Sequence, residues 1–344
     1  MPAPVSRRRV LAGAGLLLAG IGGLTACGAE GPAVSGPAPA APGFPVTIRH
    51  RLGETVIPDR PRRVVTLGAS NTDVALAMGV LPVAIPKTTY GGDAEGVLPW
   101  VRTAIERTGG PFPQVIGSGD VTAVPFEGVA AAKPDLVLAT YSGLTPQEYA
   151  QLSEIAPTVA YPDAEYSTGW REQTRVAGQV FGDPARADRL IADTEAQLAG
   201  ATQRYPQLAG KTFVYTGGLD GGRLGLFRAA DARVQLVTDL GLTLDGSAER
   251  DAVRDGSVYY TVSPELLSRI DSDLVIGFFA SDDDVRRFRT DAAVATMPAV
   301  RRRGLAAVVG NAKVVATSAP SVLSLPWVLG DYLPVLARAA DGKA

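Results

Sequence analysis

Short apolar segments alternate with segments of helical periodicity along most of the chain, and this alternation limits the fold more than any other sequence feature. The short runs are rich in Val, Ile and Leu, as buried strands are, whereas the longer segments repeat apolar residues at helical spacing. Such alternation is typical of an α/β fold with a mostly parallel sheet. In the first half, the predicted strands are residues 63–67, 83–85, 115–116 and 134–139, and the predicted helices are residues 71–78, 126–132 and 145–155.

The longest helical segment divides the chain into two such halves. Asp183 is placed to cap it, Pro184 fits its first turn, and residues 185–205 continue without a break until Pro206. The alternation then resumes, with predicted strands at residues 213–216, 273–278 and 313–317 and predicted helices at residues 234–240 and 327–337. The sequence therefore predicts two Rossmann-like α/β lobes, residues 46–168 and 207–344, joined by a connector, residues 169–206, that contains a single long rigid helix.

The first residues differ in composition from the rest of the chain. Three arginines, residues 7–9, directly precede an apolar run, residues 10–26, which is too short and glycine-rich for a membrane span but fits a signal peptide. A serine before the arginines, Ser6, makes the segment similar to a twin-arginine export signal. Leu24-Thr25-Ala26-Cys27 then matches a lipobox, in which the cysteine thiol is acylated. An uncleaved N-terminal anchor with an incidental cysteine is the alternative.

These features predict an exported lipoprotein with residues 1–26 as its signal peptide. A lipid on Cys27 would hold the protein at the extracytoplasmic face of the cell membrane. Residues 27–45 are mostly Gly, Pro, Ala and Ser, so we expect a flexible tether. Removal of the signal peptide deletes three arginines and no acids, and takes the formal charge from −2 to −5. Because nucleic-acid binding needs a basic surface, no nucleic-acid partner is expected.

Catalytic and metal-binding patterns are hard to find in this sequence. The single histidine, His50, follows the tether, where we expect no core, and this disfavours a histidine-dependent triad and a zinc or manganese site built from several imidazoles. Three consecutive acids, residues 282–284, lack the spacing of a calcium loop and predict a solvated turn or a helix N-terminus. The glycine-rich residues 217–222 predict a hairpin or a loose turn. We therefore expect no enzymatic activity, with an exported hydrolase as the alternative from a different class.

Large amphipathic side chains lie just beyond the carboxyl ends of the predicted strands, where open α/β sheets bind ligands. Aromatic faces with one or two guanidinium groups suit a bulky, polar, anionic ligand. Tyr215 and Phe278 lie within their strands, so we expect both in the core. The candidate ligand contacts are Tyr90, Tyr141, Trp170, Arg223, Arg228, Ser321, Ser324 and Trp327.

Several motifs recur in order along nearly the whole mature body, from about residue 46 to residue 338. They are residues 53–65 (GETVIPDRPRRVV), 133–139 (KPDLVLA), 155–159 (IAPTV), 167–171 (STGWR) and 323–327 (LSLPW). Together with the lipoprotein signal, they make the chain resemble the ferric-siderophore substrate-binding proteins of ABC transporters. That family has two α/β lobes bridged by one long helix, the class III architecture of solute-binding proteins.

The resemblance implies a carrier that captures a ferric siderophore between its lobes and delivers it to an ABC permease and its ATPase. The chelator holds the iron, so no protein metal ligand and no covalent cofactor besides the lipid are expected. Family members dock on the permease through one acid per lobe, and the matching candidates are Asp73 and Asp239. A monomer is expected. The same architecture binding cobalamin or haem, and a purely structural surface lipoprotein, are the alternatives, and the class of siderophore stays open.

Overall fold

A computed structural model of the chain describes residues 41–120, 123–249 and 258–344. The predicted signal peptide, Cys27 and most of the tether lie outside the described residues. Within these three ranges, no helix combines the length and the apolar character that a membrane crossing needs.

The described chain begins with an antiparallel hairpin, formed by β1 (Val46–His50) and β2 (Gly53–Ile57). Ile48 and Ile57 pack into the core of the first lobe, and His50 is buried. The Nε2 atom of His50 lies 2.9 Å from the Thr55 hydroxyl, and burial lowers the pKa of the imidazole. The expectation that no core surrounds His50 is therefore wrong, because the hairpin folds back onto the lobe that follows it.

The first sheet has five parallel strands in the order β5-β4-β3-β6-β7. The central strand, β3, and its neighbour β6 are buried on both faces, as expected for a sheet covered by helices. The strands are β3 (Val64–Thr66), β4 (Ala84–Pro86), β5 (Gln114–Ile116), β6 (Leu136–Leu138) and β7 (Thr158–Val159), and the helices are α1 (Asn71–Ala77), α2 (Pro99–Thr108), α3 (Phe126–Ala131) and α4 (Pro146–Ile155).

Two helices follow the first sheet, α5 (Trp170–Val180) and α6 (Pro184–Gln203). The Asp183 side chain caps α6 by accepting a hydrogen bond from the Arg186 amide at 2.9 Å. With 20 residues, α6 is about 30 Å long. It packs against α5 and against the last helix of the chain. The predicted long helix is therefore present, and it ends at Gln203, close to the predicted end.

The second sheet is mixed, with the order β11-β9-β8-β12-β13 and with β10 paired to β8. Strands β8, β12 and β13 are parallel, whereas β9 and β11 are antiparallel to their neighbours. The strands are β8 (Thr212–Asp220), β9 (Arg223–Phe227), β10 (Thr243–Leu244), β11 (Tyr259–Val262), β12 (Leu274–Phe279) and β13 (Leu305–Val309). The helices are α7 (Ala232–Asp239), α8 (Asp282–Thr290), α9 (Pro298–Arg301), α10 (Asn311–Ser318) and α11 (Ser324–Ala340), with short 3-10 turns at Pro206–Leu208, Gly246–Glu249, Pro264–Arg269 and Val294–Thr296.

The sequence predictions for the second half are partly right. The glycine-rich residues 217–222 form the β8–β9 hairpin, and residues 282–284 form the first turn of α8. The predicted strand at residues 313–317 is wrong, because these residues lie in α10 and the sheet instead takes β13 just before them. Both segments are short apolar runs, which periodicity alone cannot assign to a strand or a helix.

One apolar cluster extends from the first lobe through α6 into the second sheet. It includes Trp100 and Val101 of α2, Ile191 of α6 and Leu325 of α11. Continuous packing of this kind couples the two lobes through their connector. The architecture is therefore the predicted one, two α/β lobes joined by a long helix.

Candidate ligand-binding site

A cavity of about 550 Å³ lies between the two lobes. On the first lobe it is lined by residues that follow the carboxyl ends of β3, β4, β5 and β6, where a parallel sheet binds ligands. On the second lobe it is lined by Arg233 of α7, Phe278 of β12 and the face of α10 that carries Val314 and Ser318. The volume is in the range of small-molecule sites.

Asn71, at the start of α1, holds together the two loops that form the cavity floor. Its Nδ2 atom donates to the Leu67 and Ala69 carbonyls at 2.7 and 3.1 Å. Its Oδ1 atom accepts from the Thr140 amide at 2.9 Å and from the Thr140 hydroxyl at 2.7 Å. The side chain is fully buried, so these bonds replace water that cannot reach it. Asn71 thereby fixes the position of Tyr141, the residue after Thr140.

Tyr141 lies in the cavity and reaches across to the second lobe. Its hydroxyl is 3.4 Å from the Ser318 carbonyl, and its ring meets the Tyr166 ring edge-on at 6.0 Å. Burial raises the pKa of Tyr141 to about 12, so the hydroxyl keeps its proton and can donate a hydrogen bond. Gly68 is required beneath it, because a Cβ there would lie 2.2 Å from the Tyr141 carbonyl oxygen.

Arg233 provides a rigidly held guanidinium group on the second-lobe wall. Its Nε and Nη2 atoms donate to the two carboxylate oxygens of Asp231 at 2.7 and 2.8 Å. The guanidinium also lies 3.7 Å above the Phe227 ring centroid. Among the described residues, no hydrogen-bond partner is present for Nη1. Because Nε and Nη2 are held by Asp231, Nη1 is a fixed donor that is well suited to a ligand oxygen.

Asp73 lies at the back of the cavity, where the two lobes meet. Its Oδ2 atom accepts from Trp100 Nε1 at 2.7 Å and, across the lobe boundary, from the Ser321 hydroxyl at 2.6 Å. Burial raises the pKa of Asp73 to about 6, although both hydrogen bonds favour the charged form. Its predicted role in docking does not fit this position, because a carboxylate that is 2% exposed cannot reach a partner surface.

Replacement of Asp73 by asparagine should change the pH dependence of stability. The carboxyl pKa is higher in the folded state than in the unfolded state, so folded protein binds more protons between about pH 4 and pH 6, and stability falls as pH rises through this window. Asparagine can accept the same two hydrogen bonds without ionising. The unfolding free energy of Asp73→Asn minus that of the parent should therefore be larger at pH 7.5 than at pH 5, by roughly 1 kcal/mol.

Urea unfolding of both proteins at the two pH values measures this gain. The exposed Asp163, changed to asparagine in the same way, is the control and should show no gain. If the stability difference between Asp73→Asn and the parent is the same at both pH values, the raised pKa of Asp73 is contradicted.

Of the sequence-predicted contacts, Tyr90 and Tyr141 line the cavity. Ser321 and Ser324 are fully buried and instead begin α11, where each hydroxyl accepts a hydrogen bond from the other's amide, at 2.9 and 3.0 Å. Their predicted ligand contact is not supported by this placement, because both hydroxyls are used within the protein.

Neither of the two predicted tryptophans lines the cavity. Trp170 begins α5 and is buried in the apolar cluster, where the Arg171 guanidinium lies 4.3 Å from its ring centroid. Trp327 is 39% exposed on α11 and packs against Trp100, with ring centroids 5.0 Å apart and ring planes tilted by 49°. Small and polar neighbours in the sequence suggested a cleft position for both rings. Helix packing instead places Trp170 in the apolar cluster and Trp327 against Trp100.

The two predicted arginines also lie away from the cavity lining. Arg223, at the start of β9, donates to the Thr261 and Ser263 hydroxyls. Arg228 pairs with Glu249 at 3.0 Å and lies over the Tyr260 ring. The guanidinium expected after β8 is thus supplied by Arg233, a few residues further along.

Asp239, the predicted second docking acid, is partly exposed and ion-paired. The Arg171 guanidinium forms ion pairs with Asp239 and with Glu195 of α6, each at an N–O distance of 2.7 Å. Arg171 thereby links α5, α6 and α7. A docking role for Asp239 remains a prediction, and it would require this pair to open.

The cavity residues that were not identified from the sequence include Lys87, Tyr166, Arg233 and Phe278. Asp231 is a typical N-cap residue, and it could have placed Arg233 in the first turn of α7. Phe278 was expected in the core, yet it is half-buried near the carboxyl end of β12 and faces the cavity. In residues 41–120, 123–249 and 258–344, no three His, Cys, Asp or Glu side chains are grouped closely enough to hold a metal ion.

Two α/β lobes joined by one long helix, with a ligand-sized cavity between them, define a bilobal solute-binding protein. Residues 64–307 match the family described as "Periplasmic binding protein", which covers more than half of the chain. The chain belongs to this family, and the resemblance noted in its sequence is confirmed.

Individual relatives and a solved structure agree with this assignment. The chain is 29% identical over 160 residues to the ferric-anguibactin-binding protein FatB of Vibrio anguillarum, covering 45% of each chain. It is 29% identical over 170 residues to the probable siderophore-binding lipoprotein YfiY of Bacillus subtilis, covering 48% of this chain and 47% of YfiY. The matches thus span about half the length of each relative. PiaA of Streptococcus pneumoniae in complex with ferrichrome aligns with a TM-score of 0.79 at 28% identity, covering 86% of this chain and 99% of PiaA.

Proposed function

We propose that this protein is an extracytoplasmic lipoprotein that captures a ferric siderophore between its lobes and delivers it to an ABC permease for iron uptake. The observation that carries the proposal is the interlobe cavity, with three tyrosines, Phe278 and the pre-positioned Arg233 on its walls. The names of FatB, YfiY and PiaA, which refer to siderophores or iron uptake, support the same function.

The cavity chemistry suits a chelate better than a bare ion. A siderophore surrounds its iron with its own oxygen ligands, so a carrier needs to contact only the organic periphery. The rings of Tyr90, Tyr166 and Phe278 offer apolar and edge contacts, and Arg233 Nη1 offers a hydrogen-bond donor. The Tyr141 hydroxyl becomes a second donor when it exchanges its long, 3.4 Å hydrogen bond to the Ser318 carbonyl for one to the ligand. We infer that these residues are the ligand contacts.

Titration of the purified protein with a panel of chelates tests the proposal. The panel is ferrichrome, ferrioxamine B, ferric enterobactin and ferric citrate, together with cobalamin and haem, and the measurement is quenching of tryptophan fluorescence checked by calorimetry. We expect saturable, submicromolar binding of at least one ferric siderophore. Binding of cobalamin or haem alone would retain the solute-binding role and contradict the ligand class. Binding of no chelate at all would contradict the proposal as a whole.

The proposed lipid anchor predicts a simple change of location. In a bacterial host, the parent should be recovered in the membrane fraction and should incorporate labelled palmitate. The Cys27→Ser variant should lose the label and leave the membrane fraction, because serine offers no thiol for acylation. A variant that remains in the membrane fraction without label would indicate an uncleaved N-terminal anchor instead.

A further inference from the structure

The charges on the cavity wall limit which ferric siderophores can enter. The described residues that line the cavity include two cations, Lys87 and Arg233, and three acids, Asp73, Asp120 and Glu148. With all five ionised, the charges of these side chains sum to −1, and to −2 when Asp231, the ion-pair partner of Arg233, is included. With Asp73 protonated, the two sums are 0 and −1. In neither state does the wall supply the excess of positive charge that a strongly anionic ligand requires.

Among the described lining residues, Arg233 supplies the single guanidinium, and its charge is already neutralised. Arg233 is held by both carboxylate oxygens of Asp231, and the Asp231 side chain is only 6% exposed. The pair therefore offers a directed donor at Nη1 rather than a free positive charge. Lys87 makes no ion pair with any described residue and is half-buried at the end of β4. It contributes the remaining positive charge.

Glu148 brings a fixed negative charge to the rim. Its carboxylate accepts hydrogen bonds from the Thr145 amide and hydroxyl, both at 2.8 Å, in the capping box of α4. These bonds orient the carboxylate at the cavity wall. Asp120, after β5, adds a second acid to the same lobe of the cavity.

We infer that the cavity selects ferric complexes with no net negative charge, the ferric trihydroxamates, over the triply anionic tris-catecholates and the polycarboxylates. The inference rests on the proposed function and names the substrate class of the same site. A triply anionic complex would leave water for a largely apolar cavity in which the described lining residues carry no excess of positive charge, and such desolvation is costly. A neutral trihydroxamate avoids that cost, and its hydroxamate oxygens can accept hydrogen bonds from Arg233 Nη1 and the Tyr141 hydroxyl.

The test compares dissociation constants of the full chain for neutral ferrichrome, cationic ferrioxamine B, triply anionic ferric enterobactin and ferric citrate. At least one trihydroxamate should bind at least 100-fold more tightly than ferric enterobactin and ferric citrate. This ratio of dissociation constants corresponds to a difference in binding free energy on the order of a few kcal/mol. Equal or tighter binding of the anionic chelates would overturn the inference while leaving the proposed function in place. Binding of none of the four would overturn both.

A charge-removing variant gives an independent measure. Glu148→Gln keeps a side chain that can serve in the capping box but removes one negative charge from the cavity wall. At low ionic strength, we expect this variant to bind ferric enterobactin more tightly than the parent does. The ratio of the dissociation constants for ferric enterobactin and ferrichrome should therefore fall several-fold. Glu127→Gln, an exposed acid in the first turn of α3 outside the cavity lining, should leave the preference unchanged. Equal behaviour of the two variants would overturn the inference.

Discussion

Replacement of Arg233 by methionine is expected to weaken binding of the preferred ferric siderophore roughly 10- to 100-fold. The guanidinium is held by Asp231 and by the Phe227 ring, so its free Nη1 donor needs no further ordering when the ligand binds. A hydrogen bond from a charged donor is worth about 1.5–3 kcal/mol, which corresponds to this range of affinity. The measurement is calorimetric titration of both proteins with the chelate that binds the parent most tightly.

Two further variants separate ligand contact from structural damage. Arg228→Met removes the same functional group from the same lobe, but Arg228 lies outside the cavity lining and should leave affinity within about twofold. The double variant Asp231→Asn/Arg233→Met removes both members of the buried pair and should lose as much affinity as Arg233→Met alone. Unchanged affinity in Arg233→Met, or an equal loss in Arg228→Met, would contradict the site.

Replacement of Asn71 by alanine is expected to lower the unfolding free energy by about 3 kcal/mol, a large effect for one polar side chain. The change leaves the Thr140 amide and the Leu67 carbonyl without their partner in a place that is buried. The Ala69 carbonyl keeps its hydrogen bonds from the backbone amide of residue 71 and from the Ser70 hydroxyl. Each unpaired buried group costs about 1–3 kcal/mol, and partial relaxation of the loops reduces the sum. Urea unfolding of the parent and Asn71→Ala measures the difference.

The same substitution should also weaken ligand binding, because Tyr141 follows Thr140 and loses its fixed position. Gln147→Ala is the matched control, since it deletes an amide that is exposed on α4 and should change stability by less than about 0.5 kcal/mol. An Asn71→Ala protein as stable as this control would show that the two loops do not depend on the buried amide.

Local sequence signals were sufficient for most elements of the fold. The alternation of short apolar runs with helical segments predicted the two lobes, and Asp183 with Pro184 predicted the start of α6. Tyr141 was predicted in the site because it directly follows a buried parallel strand, and such strands present their carboxyl ends to the ligand. These features depend on neighbours within a few residues, which is the distance over which periodicity and capping act.

Other features were decided only by contacts between residues far apart in the chain. Residues 305–309 and 313–317 are both short apolar runs, and pairing with β12 made the first of them the strand. Ser321 looked like a ligand contact, yet its hydroxyl bonds to Asp73, 248 residues earlier, and so joins the lobes.

The sequence by itself determined the α/β class, the two lobes with their long helix, and the edge of each sheet where a ligand can bind. The tertiary structure alone decided which side chains reach that edge: it placed Arg233 and Phe278 in the cavity and moved Trp170, Trp327 and Arg228 out of it. The physical reason is range. Helix and strand periodicity is a local property, whereas the face that a side chain presents depends on how the elements pack.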